Sequence, residues 1–311
     1  MKKILLLLPF FLWTCGGGGG SPTKSENEDS MPLPTAQDII IPVQFHIFHY
    51  RSDGLDSLSV NMIQNRFLDL NLNFKGLNPS INEIPKEPNP PELEDDPNVD
   101  YSFFDDVGHH NVQFVGVSGA VYPEDLKIGE DIIWHKVDDH FQAPSFAEYY
   151  LKTNFDTNGH INIVSSEFDV ERAQAFRPNF VLLPYSSMNG SRDKINATSS
   201  SLLTHEIGHL FGYDHTFDFC EDRGWSDVPK QSSPNRVAYI YRFQSNNVNL
   251  QKYNGKYYAK DALNTCGETD QFMNFMDYSF FEARMFSKGQ VVEGMQYIQN
   301  YNWKTVSLKL N

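Results

Sequence analysis

The sequence predicts an α/β (α+β) fold, organised as one domain with two unequal lobes. Residues 39–48 are rich in β-branched and aromatic side chains and predict a central strand. In residues 60–74 the apolar side chains of Met62, Phe67, Leu70 and Leu72 recur at helical spacing, so we expect a helix packed on the sheet. About 275 residues lie beyond a polar N-terminal stretch, which is enough for one large domain.

The remaining elements follow in alternation. We predict strands at 112–117, 161–165 and 180–184, and helices at 145–152, 200–211 and 287–299. Thr198 or Ser199 is the expected cap of the second of these helices, and Ser287 that of the last. The third strand, made of Phe180, Val181, Leu182 and Leu183, ends at a proline, which cannot donate to a ladder, so we predict an edge strand, with a plain buried strand as the alternative.

The first 36 residues predict export. Residues 1–14 join two lysines to an apolar run that is too short to span a bilayer as a mature helix, which is typical of a signal peptide. Cys15 follows directly, in a stretch that resembles a bacterial lipobox and implies lipidation of its thiol. Plain secretion is the alternative. Residues 15–36 would form a flexible tether, and the protein would be anchored to a bacterial membrane, at the outer membrane or cell surface.

The charge balance limits the partners. The formal net charge is −15 at pH 7, which argues against nucleic acid or an anionic membrane surface as a partner. Membrane association would therefore come through the lipid alone, and we expect a monomer. The segment 79–100 is rich in proline and acid and predicts a surface insertion. Its carboxylates permit calcium binding, but a solvated acidic loop is the simpler interpretation.

One string of residues predicts a zinc site. Residues 205–215 read His-Glu-Ile-Gly-His-Leu-Phe-Gly-Tyr-Asp-His. On a helix, His205 and His209 share a face, while Glu206 lies beside them without ligating. Gly212 can take a left-handed conformation that ends the helix, so that the chain turns back and delivers His215. Three protein ligands with an open fourth position predict a single catalytic Zn²⁺.

This string resembles the metzincin protease signature, which predicts a methionine-bearing turn further on. Met276 and Tyr278 match that turn, and the residues around His215 and after the turn look most like the pappalysin and cytophagalysin branch. The resemblance implies a twisted, mixed, five-stranded sheet with an edge strand over the cleft, an upper lobe of about residues 37–212 and a lower lobe of 213–311. It implies that Met276 underlies the imidazoles and that Tyr278 reaches the zinc or the reacting carbonyl.

The implied activity is that of a zinc endopeptidase. Glu206 would accept the proton of a zinc-bound water and pass it to the leaving nitrogen, and Tyr278 would help to stabilise the oxyanion. In metzincins an edge strand binds the substrate backbone by strand addition, a role we assign to Phe180, Val181, Leu182 and Leu183. A surface lipoprotein that binds without catalysis and a zinc hydrolase of non-peptide amides are the alternatives.

The cysteines and the other histidines complete the prediction. With Cys15 lipidated, Cys220 and Cys266 remain as an even pair, and we predict a disulfide rather than two buried thiols. The loop between them forms one wall of the cleft in the related enzymes.

Seven further histidines lack ligand spacing relative to one another, so we expect ordinary core or surface residues: His46, His49, His109, His110, His135, His140 and His160.

Overall fold

A computed structural model describes twelve stretches of the chain: residues 33–49, 58–87, 90–91, 101–136, 144–166, 173–184, 188, 198–237, 246–248, 250–259, 265–279 and 283–310. Residues 31–311 form one compact unit. In the described part of the chain, no helix combines the length and the apolar character that crossing a bilayer requires. The predicted signal peptide, Cys15 and residues 92–100 of the predicted insertion lie outside the described residues.

The fold is centred on a mixed sheet whose strands run in the order β2-β1-β4-β6-β5, with β3 also paired to β1. These strands are β1 (Ile39–His49), β2 (Val112–Gly116), β3 (Ile132–Lys136), β4 (Ile161–Ser166), β5 (Gln174–Phe176) and β6 (Phe180–Pro184). Only β5 is antiparallel to its neighbour. Strand β2 pairs with the first half of β1 and β3 with the second half, so the sheet has six strands but is five strands wide.

Helices cover both faces of the sheet, which explains why β1 is apolar almost throughout. Alternate residues of β1, such as Phe45, share a core with α1 (Val60–Phe74) and α3 (Thr198–Leu210). On the other face, Phe48 packs with α2 (Pro144–Asn154) and with residues of β4 and β6. The fold class and the predicted α1 are confirmed, and the sheet has one strand more than the expected five.

The C-terminal part of the chain adds short strands and a closing helix. The strands are β7 (Asn235–Val237), β8 (Asn246–Val248), β9 (Leu250–Tyr253) and β10 (Lys256–Ala259), and the helix is α4 (Lys288–Asn300). Ser287 caps α4 as predicted, with its side chain accepting from the Gln290 amide in a capping box. A separate apolar cluster joins Tyr258 to Phe272, Met273 and Met285 beside the 79–105 segment.

The predicted cap of α3 and the predicted edge position of β6 are wrong. Helix α3 begins at Thr198, so neither Thr198 nor Ser199 precedes it as a cap. Strand β6 is not an edge: Phe180, Val181, Leu182 and Leu183 lie between β4 and β5, and β5 forms the edge. Pro184 is tolerated because it is the last residue of the strand, where the absence of its N–H ends the ladder rather than interrupting it.

Candidate zinc site

Helix α3 places the first two histidines of the site. His205 and His209 lie one turn apart near the end of the helix, which finishes at Leu210. Gly212 follows with a φ of +100°, a conformation that favours glycine, and the Tyr213 amide bonds back to the Gly208 carbonyl at 3.1 Å. The chain thereby reverses and returns His215 to the same place, as the sequence predicts.

The three imidazoles converge through one kind of atom. The Nε2 atom of His209 lies 3.1 Å from Nε2 of His205 and 3.2 Å from Nε2 of His215. All three ligand atoms lie within 4.8 Å of one another, and no other such group occurs among the residues that the structure describes. Tetrahedral zinc, with Zn–N distances of 2.0–2.1 Å, requires nitrogens about 3.3 Å apart. The observed spacing fits that ion.

Backbone carbonyls determine which nitrogen of His205 and of His209 faces the site. The Nδ1 atom of His205 donates to the Phe275 carbonyl, and that of His209 donates to the Tyr213 carbonyl, each at 2.7 Å. The Nε2 atoms of these rings are therefore acceptors with their lone pairs facing each other. Burial lowers the pKa of His205 and His209, and it lowers the pKa of His215 to about 3. Neutral rings with facing lone pairs repel unless a cation lies between them.

The methionine turn lies against α3 at a residue that the sequence analysis did not single out. A Cβ added to Gly208 would lie 2.6 Å from Sδ of Met276 and 3.2 Å from the Tyr213 ring. A side chain at this position would therefore require Met276 to shift. The Asn274 side chain accepts from the Met276 amide at 2.8 Å, and the Met276 carbonyl accepts from the Thr216 amide at 3.2 Å. The turn is thus bonded to the segment that carries His215.

Tyr278 lies beside the imidazoles, as the resemblance implies. Its ring centroid is 4.7 Å from that of His215 and 5.7 Å from that of His205. Phe217 adds a second ring: it stacks on His215 at 4.8 Å with an interplanar angle of 6° and meets Tyr278 edge-on at 4.9 Å. One side of the site is therefore aromatic.

Glu206 lies between the triad and the edge of the sheet. Burial raises the pKa of its carboxyl to about 8, opposed by a hydrogen bond from the Ala175 amide. Ala175 is the middle residue of β5, and its N–H points away from β6 toward this carboxylate. Within the described residues β5 is the outermost strand on this side of the sheet, and it runs past Glu206. The sequence analysis missed β5 because a three-residue strand has too little pattern to predict.

The loop after His215 is held by the predicted disulfide. Cys220 and Cys266 are bonded, with their Cα atoms 5.6 Å apart. Asp227 joins the same loop to α4: its carboxylate accepts from the Ser287 hydroxyl at 2.9 Å and from the Gly289 amide at 2.7 Å. These contacts give Asp227 a structural role and fix the loop at both ends.

Comparisons with known proteins agree with this geometry. A family model described as pregnancy-associated plasma protein-A, Peptidase_M43, matches residues 183–299, which include α3, the loop after it, the methionine turn and most of α4. No curated protein sequence matches the chain.

Solved structures match over most of the chain. Mature mirolysin from Tannerella forsythia, in complex with a cleaved peptide, has a TM-score of 0.55 at 17% identity and covers 86% of this chain and 99% of its own. A mutant of Tannerella forsythia promirolysin has a TM-score of 0.57 at 18% identity, covering 88% and 85%. The chain thus shares the fold of mirolysin, and its predicted resemblance to the pappalysin branch is confirmed over residues 183–299.

Proposed function

From this resemblance to the pappalysin metalloproteases, we propose that the chain is a zinc-dependent endopeptidase. The observation that carries the proposal is the convergence of three imidazole Nε2 atoms beside a buried carboxylate and the outermost strand of the sheet as the described residues form it. His205, His209 and His215 would hold the ion. When bound, zinc would polarise the peptide carbonyl and make hydroxide available near neutral pH.

Glu206 is the proposed general base. Its carboxylate would accept the proton of the attacking water and pass it to the amide nitrogen as the C–N bond breaks, so that a neutral amine leaves. Burial raises the pKa of Glu206 to about 8, and a bound cation nearby would favour the ionised form that the base requires. The Tyr278 hydroxyl would donate to the carbonyl oxygen as negative charge develops there.

The position of β5 as the outermost described strand supports a peptide as the substrate. An extended peptide can add to an exposed strand through backbone hydrogen bonds, and β5 runs beside Glu206. This assigns to Gln174, Ala175 and Phe176 the role that the sequence analysis gave to β6. The similar mirolysin structure contains a cleaved peptide, which agrees with an endopeptidase. The acidic chain would act as a monomer, anchored outside the cytoplasm through a lipid on Cys15.

The test is Glu206→Gln, with Glu148→Gln on the surface helix α2 as a matched control. The amide cannot accept a proton, so we expect peptidase activity to fall by about 10²–10⁴-fold, as for loss of a general base. Both variants should hold one zinc per chain, measured by elemental analysis, and a chelator should abolish the activity of the control. A Glu206→Gln protein that cleaves peptides at the rate of the unmodified protein overturns the proposal.

A further inference from the structure

Phe219 combines two features that a bulky apolar residue normally avoids. Its side chain is 87% exposed. Its backbone is left-handed, with a φ of +47°, and Cys220 next to it has a φ of +66°. Together they form the centre of a tight turn that is closed by a hydrogen bond from the Glu221 amide to the Asp218 carbonyl at 2.8 Å. Turns with two left-handed residues favour asparagine, aspartate and glycine.

The turn is held firmly in place. The Phe219 amide donates to the Ser232 carbonyl at 3.1 Å, and Cys220 is tied to Cys266. Arg223 contacts the Asp218 carboxylate at 3.2 Å and donates to the Phe217 carbonyl at 3.0 Å. The surrounding structure therefore maintains both the strained backbone and the exposed ring. Strain that is maintained in this way points to a function of the residue rather than to chance.

The turn is continuous with the candidate site. Phe217, two residues before Phe219, stacks on His215 and touches Tyr278. We call Phe217 and Phe219 the aromatic rim. Consecutive Cα atoms are 3.8 Å apart, so the Cα atoms of Phe217 and Phe219 are at most about 7.6 Å apart, and Phe219 lies on the same side of the site as Phe217. Phe217 is partly covered by the site, whereas Phe219 presents its ring to solvent.

We infer that Phe219 is a specificity-determining residue, which binds an apolar or aromatic side chain of the peptide substrate on the side of the site that Phe217 lines. This inference rests on the proposed peptidase function. Covering the exposed phenyl ring with an apolar side chain would remove apolar surface from water and thereby favour such peptides. The strained turn keeps the ring fixed before the substrate arrives, which reduces the ordering that binding requires.

The test compares Phe219→Asn with Tyr149→Ala, which removes an exposed aromatic ring from α2. Asparagine accepts a left-handed backbone, so the unfolding midpoint should rise, by up to about 4 °C. Over a peptide library, kcat/KM for substrates with leucine or phenylalanine at the rim position should fall about tenfold, mainly through KM, and that for alanine peptides by less than twofold. Phe219→Tyr should retain the selectivity.

A second readout does not depend on turnover. In the Glu206→Gln background, Phe219→Asn should weaken the binding of a phenylalanine-containing peptide about tenfold, measured by fluorescence anisotropy, without changing zinc content. An active Phe219→Asn enzyme with unchanged selectivity overturns the inference alone. A change in oligomeric mass instead of selectivity also overturns it, because the ring would then contact a second copy. If the unmodified protein cleaves no peptide, the proposed function fails and the inference fails with it.

Discussion

Two pairs of histidines in this molecule look alike by distance and differ in chemistry. In the triad, His205 and His209 approach within 3.1 Å. Under α2, His46 and His135 approach within 3.0 Å, with their rings stacked at a centroid distance of 5.2 Å. Burial lowers the pKa of His46 to about 3 and that of His135 to about 4. Distance, burial and charge state therefore do not distinguish a metal site from a core pair.

The distinction lies in which nitrogens meet. In the triad, backbone carbonyls take the Nδ1 protons, so Nε2 faces Nε2 and neither atom carries a proton to share. In the other pair, Nδ1 of His46 faces Nε2 of His135, and one proton between them makes an ordinary hydrogen bond. The first arrangement needs a cation and the second does not. The hydrogen-bond partner of each ring's other nitrogen thus decides whether two histidines at this spacing need a metal ion between them.

The largest expected effect is a loss of zinc affinity that follows a substitution in the triad but not one in the His46–His135 pair. His215→Gln removes one of three ligands, so zinc affinity should fall by more than the 10–100-fold that loss of an outer-shell partner causes. His46→Gln should leave zinc affinity unchanged, because its ring lies in the core under α2. Competition with a chromogenic chelator measures both affinities. Equal zinc affinity of the two variants would show that the facing lone pairs do not hold the ion.

The next effect is a change in stability that comes from the packing of Met276 against Gly208 of helix α3. In an exposed helix, Gly→Ala stabilises by about 1 kcal/mol. At Gly208 the added methyl group would meet the Met276 sulfur at 2.6 Å, so we expect a net destabilisation of about 1–3 kcal/mol from overpacking. Denaturant unfolding measures the change, and zinc affinity should fall with it because the methionine turn must move. A stabilised Gly208→Ala protein would mean that Met276 moves aside freely.

Local patterns made the zinc helix predictable, and long-range pairing made other features unpredictable. The spacing of His205, His209 and Gly212 is set within three helical turns, so the sequence carries it directly. The contact between His46 and His135 joins residues 89 apart through the register of β1 and β3. No pattern in the sequence predicts this contact, and for that reason the sequence predicted only ordinary residues at these two positions.

The edge of the sheet was mispredicted for a related reason. Strand β5 is three residues long and exists because β6 pairs with it, so its own residues carry little signal. A proline at the end of β6 has the same appearance in sequence as a proline on an edge. The methionine turn was found through its resemblance to the metzincins, whereas Gly208 required the coordinates, because its role is an approach between two distant segments.

The third expected effect is a pH dependence to which the core pair contributes. Because the pKa of His46 is lowered from 6.5 to about 3, the unfolded chain binds a proton below pH 6.5 that the folded protein does not. Stability is therefore complete above about pH 6.5 and is lost as the pH falls toward 3, by up to about 1.4 kcal/mol per pH unit for this histidine. His46→Gln should flatten the dependence by that amount between pH 6 and 4, measured by urea unfolding at each pH. An identical slope in both proteins would show that His46 is protonated in the folded protein at the same pH as in the unfolded chain. The His46–His135 pair would then be in contact with water rather than part of the core.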